Sequence, residues 1–240
     1  MIRIEHFSKS YKGKTLDVED ITFSLEKGSV TALLGANGSG KSTVIKAMCA
    51  VHYPSSGNVF VSGKDNLEVN AEDNPVFVKE CTGYVPEITE LPKDMAVYDF
   101  LSYAAKVHNV EDFEKQVLEV IKKCSLNEVA FKKIGELSKG YRQRVSFAQG
   151  IIHQPENLIL DELMSGLDPN QMKEMEKLIL SYAKDHCVLI STHILGEVHN
   201  LCKNIVIMNK GKIVAQGTEK EIIEKTKSPD FEAAFLKVCS

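Results

Sequence analysis

Apolar and polar side chains change their period twice along this chain, and the changes divide it. Ile21, Phe23 and Leu25 alternate with polar residues, the two-residue period of a half-buried strand. Glu26-Lys27-Gly28 then turns into the apolar run Val30-Thr31-Ala32-Leu33-Leu34, which reads as a buried strand. Further strands are predicted over 58–62, 82–85, 158–161, 188–190, 205–208 and 212–215. The last two flank Asn209-Lys210-Gly211, a hairpin-turn signal. Between Ala96 and Ile152 the period becomes helical. Val97, Phe100, Leu101, Ala104, Ala105 and His108 share one face, and Phe113, Val117, Val120, Ile121 and Cys124 share another. A third helix is predicted from Ser138 to about His153. Two more amphipathic helices follow, one with Met172, Met175, Leu178, Ile179 and Tyr182, the other with Ile194, Leu195, Val198, Leu201 and Cys202. Thr218-Glu219-Lys220-Glu221 fits a capping box that opens a C-terminal helix. The pattern predicts an α/β core with an inserted helical lobe.

Composition narrows the class. The 240 residues are 43% hydrophobic and 26% charged, with a net charge of −4. These values suit a soluble globular chain and argue against nucleic acid as a partner. No apolar run approaches the length of a membrane span, and Met1-Ile2-Arg3-Ile4-Glu5 lacks the plan of a signal peptide. The cysteines, at 49, 81, 124, 187, 202 and 239, form no C-x-x-C pair. They read as reduced core thiols in a cytosolic protein, and their spacing argues against a zinc site.

The chemistry begins at Gly35-Ala36-Asn37-Gly38-Ser39-Gly40-Lys41-Ser42, a G-x-x-x-x-G-K-S phosphate loop. Its glycines let backbone N–H groups turn inward on phosphate oxygens. Lys41 supplies a point charge for the terminal phosphates, and the Ser42 hydroxyl suits Mg²⁺. A helix from Thr43 to Cys49 would aim its positive end at the same anion. A second acidic site follows the strand Leu158-Ile159-Leu160, which ends in Asp161-Glu162. Asp161 is the candidate to hold Mg²⁺ through water, and Glu162 the candidate to polarise an attacking water.

With these elements the chain resembles the ATP-binding subunit of an ABC transporter along nearly its whole length. Leu137-Ser138-Lys139-Gly140-Tyr141-Arg142-Gln143-Arg144 resembles the family's signature motif, Ser165-Gly166-Leu167-Asp168 its D-loop, and Ser191-Thr192-His193 its switch-histidine segment. The resemblance implies a P-loop NTPase with a RecA-like core, an antiparallel β subdomain and an inserted α-helical subdomain. Core and β subdomain would occupy 1–92 and 153–217, the helical subdomain 93–152, and a helical tail 218–240. It implies ATP and Mg²⁺ as cofactors. The implied nucleotide contacts are Tyr11, stacking on adenine beside Lys9, Lys12 and Lys14, together with Gly35, Ala36, Asn37, Gly38, Ser39, Gly40, Lys41, Ser42 and Thr43. Ser138 and Gly140 would act in trans, from a second ATPase subunit bound head to tail. Glu162, His193 and Glu87 are the implied catalytic groups, and Ser42, Asp161 and Glu87 the metal-facing ones. The resemblance also implies integral membrane permease subunits, which dock near 87–98 and hold the chain on the cytoplasmic face.

Three departures from the family pattern stand out. Glu87, in Gly83-Tyr84-Val85-Pro86-Glu87, replaces a glutamine and adds charge near the phosphates. Lys139 and Tyr141 replace glycine and glutamine in the signature. Leu163-Met164 replaces Pro-Thr after the catalytic glutamate, which predicts a looser turn between Glu162 and Ser165. The first two resemble the ABC-2 export branch, so the expected function is an exporter ATPase. An importer ATPase and a nucleotide-dependent interaction module with little turnover stand as alternatives.

Overall fold

The computed structural model describes residues 1–11, 13, 16–64, 67–87, 90–199 and 201–240. Its elements run β1 (Ile2–Lys9), β2 (Val18–Leu25), β3 (Ser29–Leu34), α1 (Lys41–Met48), β4 (Ser56–Ser62), β5 (Glu68–Asn70), α2 (Pro75–Cys81) and β6 (Thr82–Val85). Then come α3 (Val97–Val107), α4 (Phe113–Lys123), α5 (Lys139–Ile151), β7 (Asn157–Asp161), α6 (Pro169–Ala183) and β8 (Cys187–Thr192). The chain continues through α7 (Leu195–His199), β9 (Asn204–Asn209), β10 (Lys212–Gly217), α8 (Glu219–Thr226) and α9 (Phe231–Cys239).

The strands form two sheets. One is antiparallel, in the order β2-β1-β4-β5; the other runs β10-β9-β3-β8-β7-β6 and is parallel apart from β10. The central strands β3, β7 and β8 have no exposed face, so they read as apolar runs rather than as alternations. Alternate residues still go to opposite sides. Val30, Ala32, Leu34, Leu158, Leu160, Val188 and Ile190 join the apolar cluster that includes Leu101 of α3, Val117 of α4 and Phe147 of α5. Leu33, Ile159 and Leu189 join the other cluster, with α1 and the antiparallel sheet. The helices α3 to α5 form the crossover between the neighbouring parallel strands β6 and β7, so they are inserted in the sheet's connectivity without interrupting its ladder.

Every strand predicted from the alternation is present. The hairpin turn is there too, with Lys210 and Gly211 both at positive φ (48° and 78°), which matches the twist of the strands it joins. The capping box at Thr218 forms as predicted. Of the predicted helices, the one from Ile194 to Cys202 is shorter than its apolar stripe: α7 ends at His199, and Asn200 lies outside the described residues. β1, β5, α2 and the second C-terminal helix α9 are additional elements. In β1 the alternation Ile2, Ile4 breaks at His6, which has φ 49°, and a register shift follows before Phe7. Cys49, Cys81, Cys124 and Cys187 are buried and all six cysteines are free thiols. Burial pushes Cys81 to about 11 and Cys124 to about 12.

A buried amide ties the sheets together. Asn157 is fully buried at the start of β7, and its Nδ2 donates to the carbonyls of Ser62 at 3.2 Å and Cys81 at 3.1 Å. Asn157→Ala strips both carbonyls of this donor away from water and is expected to cost about 1–3 kcal/mol of stability. Urea unfolding of the two proteins measures it.

Candidate functional site

The phosphate loop leaves β3 at Leu34. Gly35 N–H donates to the Thr192 carbonyl at 3.3 Å, one residue past the end of the strand ladder. A Cβ at Gly35 would overlap the Met208 carbonyl, so no larger residue fits. Gly40 has φ 104°, and a Cβ there would lie 2.8 Å from a Val18 methyl. The loop runs directly into α1, where Thr43 and Val44 N–H both donate to the Gly40 carbonyl. Lys41 is 6% exposed. Its ammonium folds back onto the loop, donating to the Gly35 carbonyl at 2.6 Å and the Ala36 carbonyl at 3.3 Å. Burial lowers its pKa, and the nearby Glu162, Asp161 and Glu87 carboxylates oppose that shift.

Strand register brings the acids to the same place. Leu34 pairs with Thr192 on one side of β8, and Asp161 pairs with Ser191 on the other. Gly35, Glu162 and His193 are therefore the next residues out of three adjacent strands. Burial raises the Asp161 carboxyl, the Glu162 charge adds to the rise, and Lys41 opposes it. Glu162 N–H extends the ladder to the Ser191 carbonyl at 3.0 Å, while its own φ is 49°, a left-handed value rare outside glycine. Such a conformation is held only where its surroundings over-determine it. Glu162 Oε1 lies 3.0 Å from His193 Nδ1. The carboxylate is nearly buried, whereas the ring is partly exposed. The predicted loosening at Leu163-Met164 is not found. Both side chains are buried in the core, and Ser165 N–H closes the turn on the Glu162 carbonyl at 3.1 Å. Apolar anchoring does here what a proline would do by restricting the backbone.

One cleft of about 410 Å³ gathers Tyr11, Asn37, Gly38, Gly40, Lys41, Ser42, Thr43, Glu87, Asp161 and Glu162. Gly35, Ala36 and Ser39 form the loop beneath without lining it. The cleft also takes in Asp17, which sequence reasoning missed. Asp17 Oδ2 accepts from Tyr11 N–H at 2.9 Å and so fixes the backbone that presents the aromatic ring. Its sequence signal is weak, since an aspartate in a polar loop is commonplace. Tyr11 is 56% exposed; its hydroxyl meets His52 Nε2 at 2.9 Å and Lys9 Nζ lies 5.6 Å from its ring centroid. Lys12 and Lys14 lie outside the described residues.

Ser138 and Gly140 lie apart from this cleft. Ser138 Oγ caps α5, accepting from Tyr141 N–H at 3.4 Å, and remains exposed. Gly140 is buried against Gln171 of α6, and Lys139 Nζ sits over Gly166. The signature segment thus touches the 165–168 segment of its own chain, and no residue of 137–144 lines the cleft.

Residues 18–165 match the family described as ABC transporter. The chain belongs to that family. It is 30% identical over 233 residues to an uncharacterized ABC transporter ATP-binding protein, YxlF, of Bacillus subtilis (strain 168), covering 96% of this chain and 75% of the other. It is 32% identical over 217 residues to the tungstate uptake system ATP-binding protein TupC of Peptoclostridium acidaminophilum, covering 88% and 96%. A solved ATP-binding subunit of an ABC transporter superposes over the whole of both chains with a TM-score of 0.88 at 24% identity, which establishes the shared fold. This ABC ATPase is an ATP-binding, ATP-hydrolysing transporter subunit of α/β P-loop architecture, with an antiparallel sheet beside the core. It also resembles solved cbiO1 of Clostridium perfringens, part of the ABC transporter complex cbiONQ, with a TM-score of 0.80 at 28% identity over 98% of each chain. Among the described residues, no helix is long and apolar enough to cross a membrane.

The cleft of this ABC ATPase holds four carboxylates, Asp17, Glu87, Asp161 and Glu162, against one buried amine, an imbalance that disfavours bare ATP. Glu87→Gln removes one negative charge and is expected to tighten ATP binding in EDTA by about 3- to 10-fold, with a smaller change for ATP in excess Mg²⁺. Fluorescent-nucleotide titration in the two buffers separates these cases.

Proposed function

We propose that this chain powers an ABC-2-type exporter through ATP-dependent, head-to-tail closure of two ATPase subunits, a copy of itself or a related chain. The observation that carries the hydrolytic half of this reading is the Glu162–His193 contact at 3.0 Å, at the strand ends beside the phosphate loop. In this reading Lys41 and the loop amides from Gly35 to Thr43 hold the triphosphate, and Tyr11 stacks on the base. The oxygen donors Ser42, Asp161 and Glu87 share one cleft and are the hard ligands that Mg²⁺ requires, so they would hold it. When bound, that ion neutralises phosphate charge. Glu162 orients and deprotonates the attacking water, while His193 meets the γ-phosphate and keeps the carboxylate in place.

Ser138 and Gly140 complete the site of the opposite chain. Their separation from the cleft within one chain supports this, because a single copy offers its own nucleotide only half of the contacts. Hydrolysis then removes the phosphate that bridges the two chains, and the pair reopens. The division into core and β subdomain (1–92 and 153–217), helical subdomain (93–152) and tail (218–240) gives closure its moving parts. Permease helices dock near 87–98 and keep the chain peripheral on the cytoplasmic face. In that segment Ile88 and Thr89 lie outside the described residues, while the half-buried Tyr98 meets Phe131, which is 81% exposed, in a tilted pair with centroids 5.8 Å apart. An exposed aromatic such as Phe131 suits a protein contact.

Glu87 and Lys139 favour the export branch. TupC, whose name assigns it to tungstate uptake, favours an importer as the second reading. Co-purification with an adjacently encoded multi-span protein, followed by transport in vesicles, separates them. For the mechanism, Glu162→Gln is expected to bind ATP normally and accumulate a closed dimer on gel filtration. Unchanged phosphate release by this variant would remove Glu162 from the reaction. Ser138→Arg is expected to abolish turnover while leaving monomer nucleotide affinity intact, and an affinity loss in the isolated chain would contradict the trans assignment.

A further inference from the structure

Glu197 is a carboxylic acid buried in the core-facing side of α7, 3% exposed, with no part in the cleft. Its Oε2 accepts the Thr192 hydroxyl at 2.5 Å. The same hydroxyl oxygen accepts Ile194 N–H at 3.0 Å. Glu197 Oε1 has no hydrogen-bond partner among the described residues. Burying a carboxyl with one oxygen unsatisfied costs free energy, and an apolar residue would fill this place without that cost.

What Glu197 holds is the residue on each side of His193. Thr192 is the last residue of β8 and pairs with Leu34, and its carbonyl accepts Gly35 N–H. Its main chain is therefore set by the sheet, and its side chain by Glu197. Ile194 N–H closes on that hydroxyl from the other side. His193 is the single residue enclosed by this loop, and its ring meets Glu162 Oε1 at 3.0 Å. Burial holds the Glu197 carboxyl above the ordinary carboxylate range; the Thr192 hydroxyl and the His193 ring oppose that, while the Glu162 and Glu176 carboxylates add to it.

We propose that Glu197 is a positioning residue for hydrolysis: through the Thr192 hydroxyl it fixes the turn that sets His193 against Glu162. The proposal rests on the reading that Glu162 and His193 carry the reaction. Glu197 touches neither nucleotide nor water in it. Removing it frees the Thr192 rotamer, releases Ile194 N–H, and lets the imidazole leave Glu162. An amide in its place still accepts from Thr192.

The test compares steady-state phosphate release by the full chain with four variants: H193A, E197A, E197Q and T192V. Misplacement of the ring is expected to lower kcat about 10- to 100-fold in E197A and T192V, with KM for ATP within about 2-fold of the parent. E197Q is expected to retain most of the activity. Doubling E197A with T192V adds little further loss, because both act on one contact. The readout independent of turnover is the ¹⁵N-histidine spectrum without nucleotide, in which the His193 ring signals move in E197A and stay in E197Q. Parental kcat in E197A or T192V, alongside a dead H193A, overturns the proposal and leaves the hydrolytic reading standing. A lower melting temperature with unchanged kcat and unmoved His193 signals assigns Glu197 to fold support alone and likewise overturns it. Undiminished hydrolysis in H193A removes the hydrolytic reading itself, and the His193 signals then decide the positioning on their own. Should E197A fail to fold, T192V decides the outcome.

Discussion

The parallel register of β3, β8 and β7 constrains everything at the nucleotide end of this chain. Leu34 pairs with Thr192 and Asp161 with Ser191, so three strands finish level. Each then has one residue in which to become something other than a strand. Gly35 turns into the phosphate loop, Glu162 takes a left-handed backbone, and His193 swings toward Glu162. A slip of one residue in any of these pairings would exchange the buried faces of that strand and move its terminal group to the wrong side. The hydrophobic clusters on both faces of the sheet forbid the slip. The core therefore sets the geometry of the cleft as well as stability.

Charge supplies the second constraint. Asp161, Glu162 and Glu87 converge where Lys41 is the buried cation, and burial shifts Lys41 and Asp161 toward their neutral forms. Such a cleft is poised for a ligand that brings its own compensating charges. The left-handed Glu162 fits the same picture, since an unfavourable backbone state is kept where neighbours demand it. Leu163 and Met164, the next two residues, are buried in the core.

Much of this was legible from residues alone. The phosphate loop, the acidic strand end and the helical stripes follow from spacing, and the structure places the loop and both acids at one cleft. Where legibility failed, the causes were physical. β1 was hidden because a bulge at His6 interrupts its alternation. β5 spans three residues, too few to show a period. α2 carries its signal in Asn74-Pro75, a side-chain cap followed by a first-turn proline, and not in an apolar stripe. Asp17 acts through one hydrogen bond to the Tyr11 backbone and Asn157 through two to distant carbonyls, which no residue pattern reports. Leu163-Met164 misled because a proline's stiffness and a buried side chain's anchorage are different routes to one turn.

The Lys41 ammonium already rests on the carbonyls of Gly35 and Ala36. In the proposed reading a polyphosphate therefore trades places with main-chain oxygens instead of ordering a slack segment. An anion site kept in shape by an internal surrogate spends little conformational entropy on capture. Encounter is then governed by diffusion and local field, and differences in affinity among related nucleotides fall chiefly on how fast each one escapes.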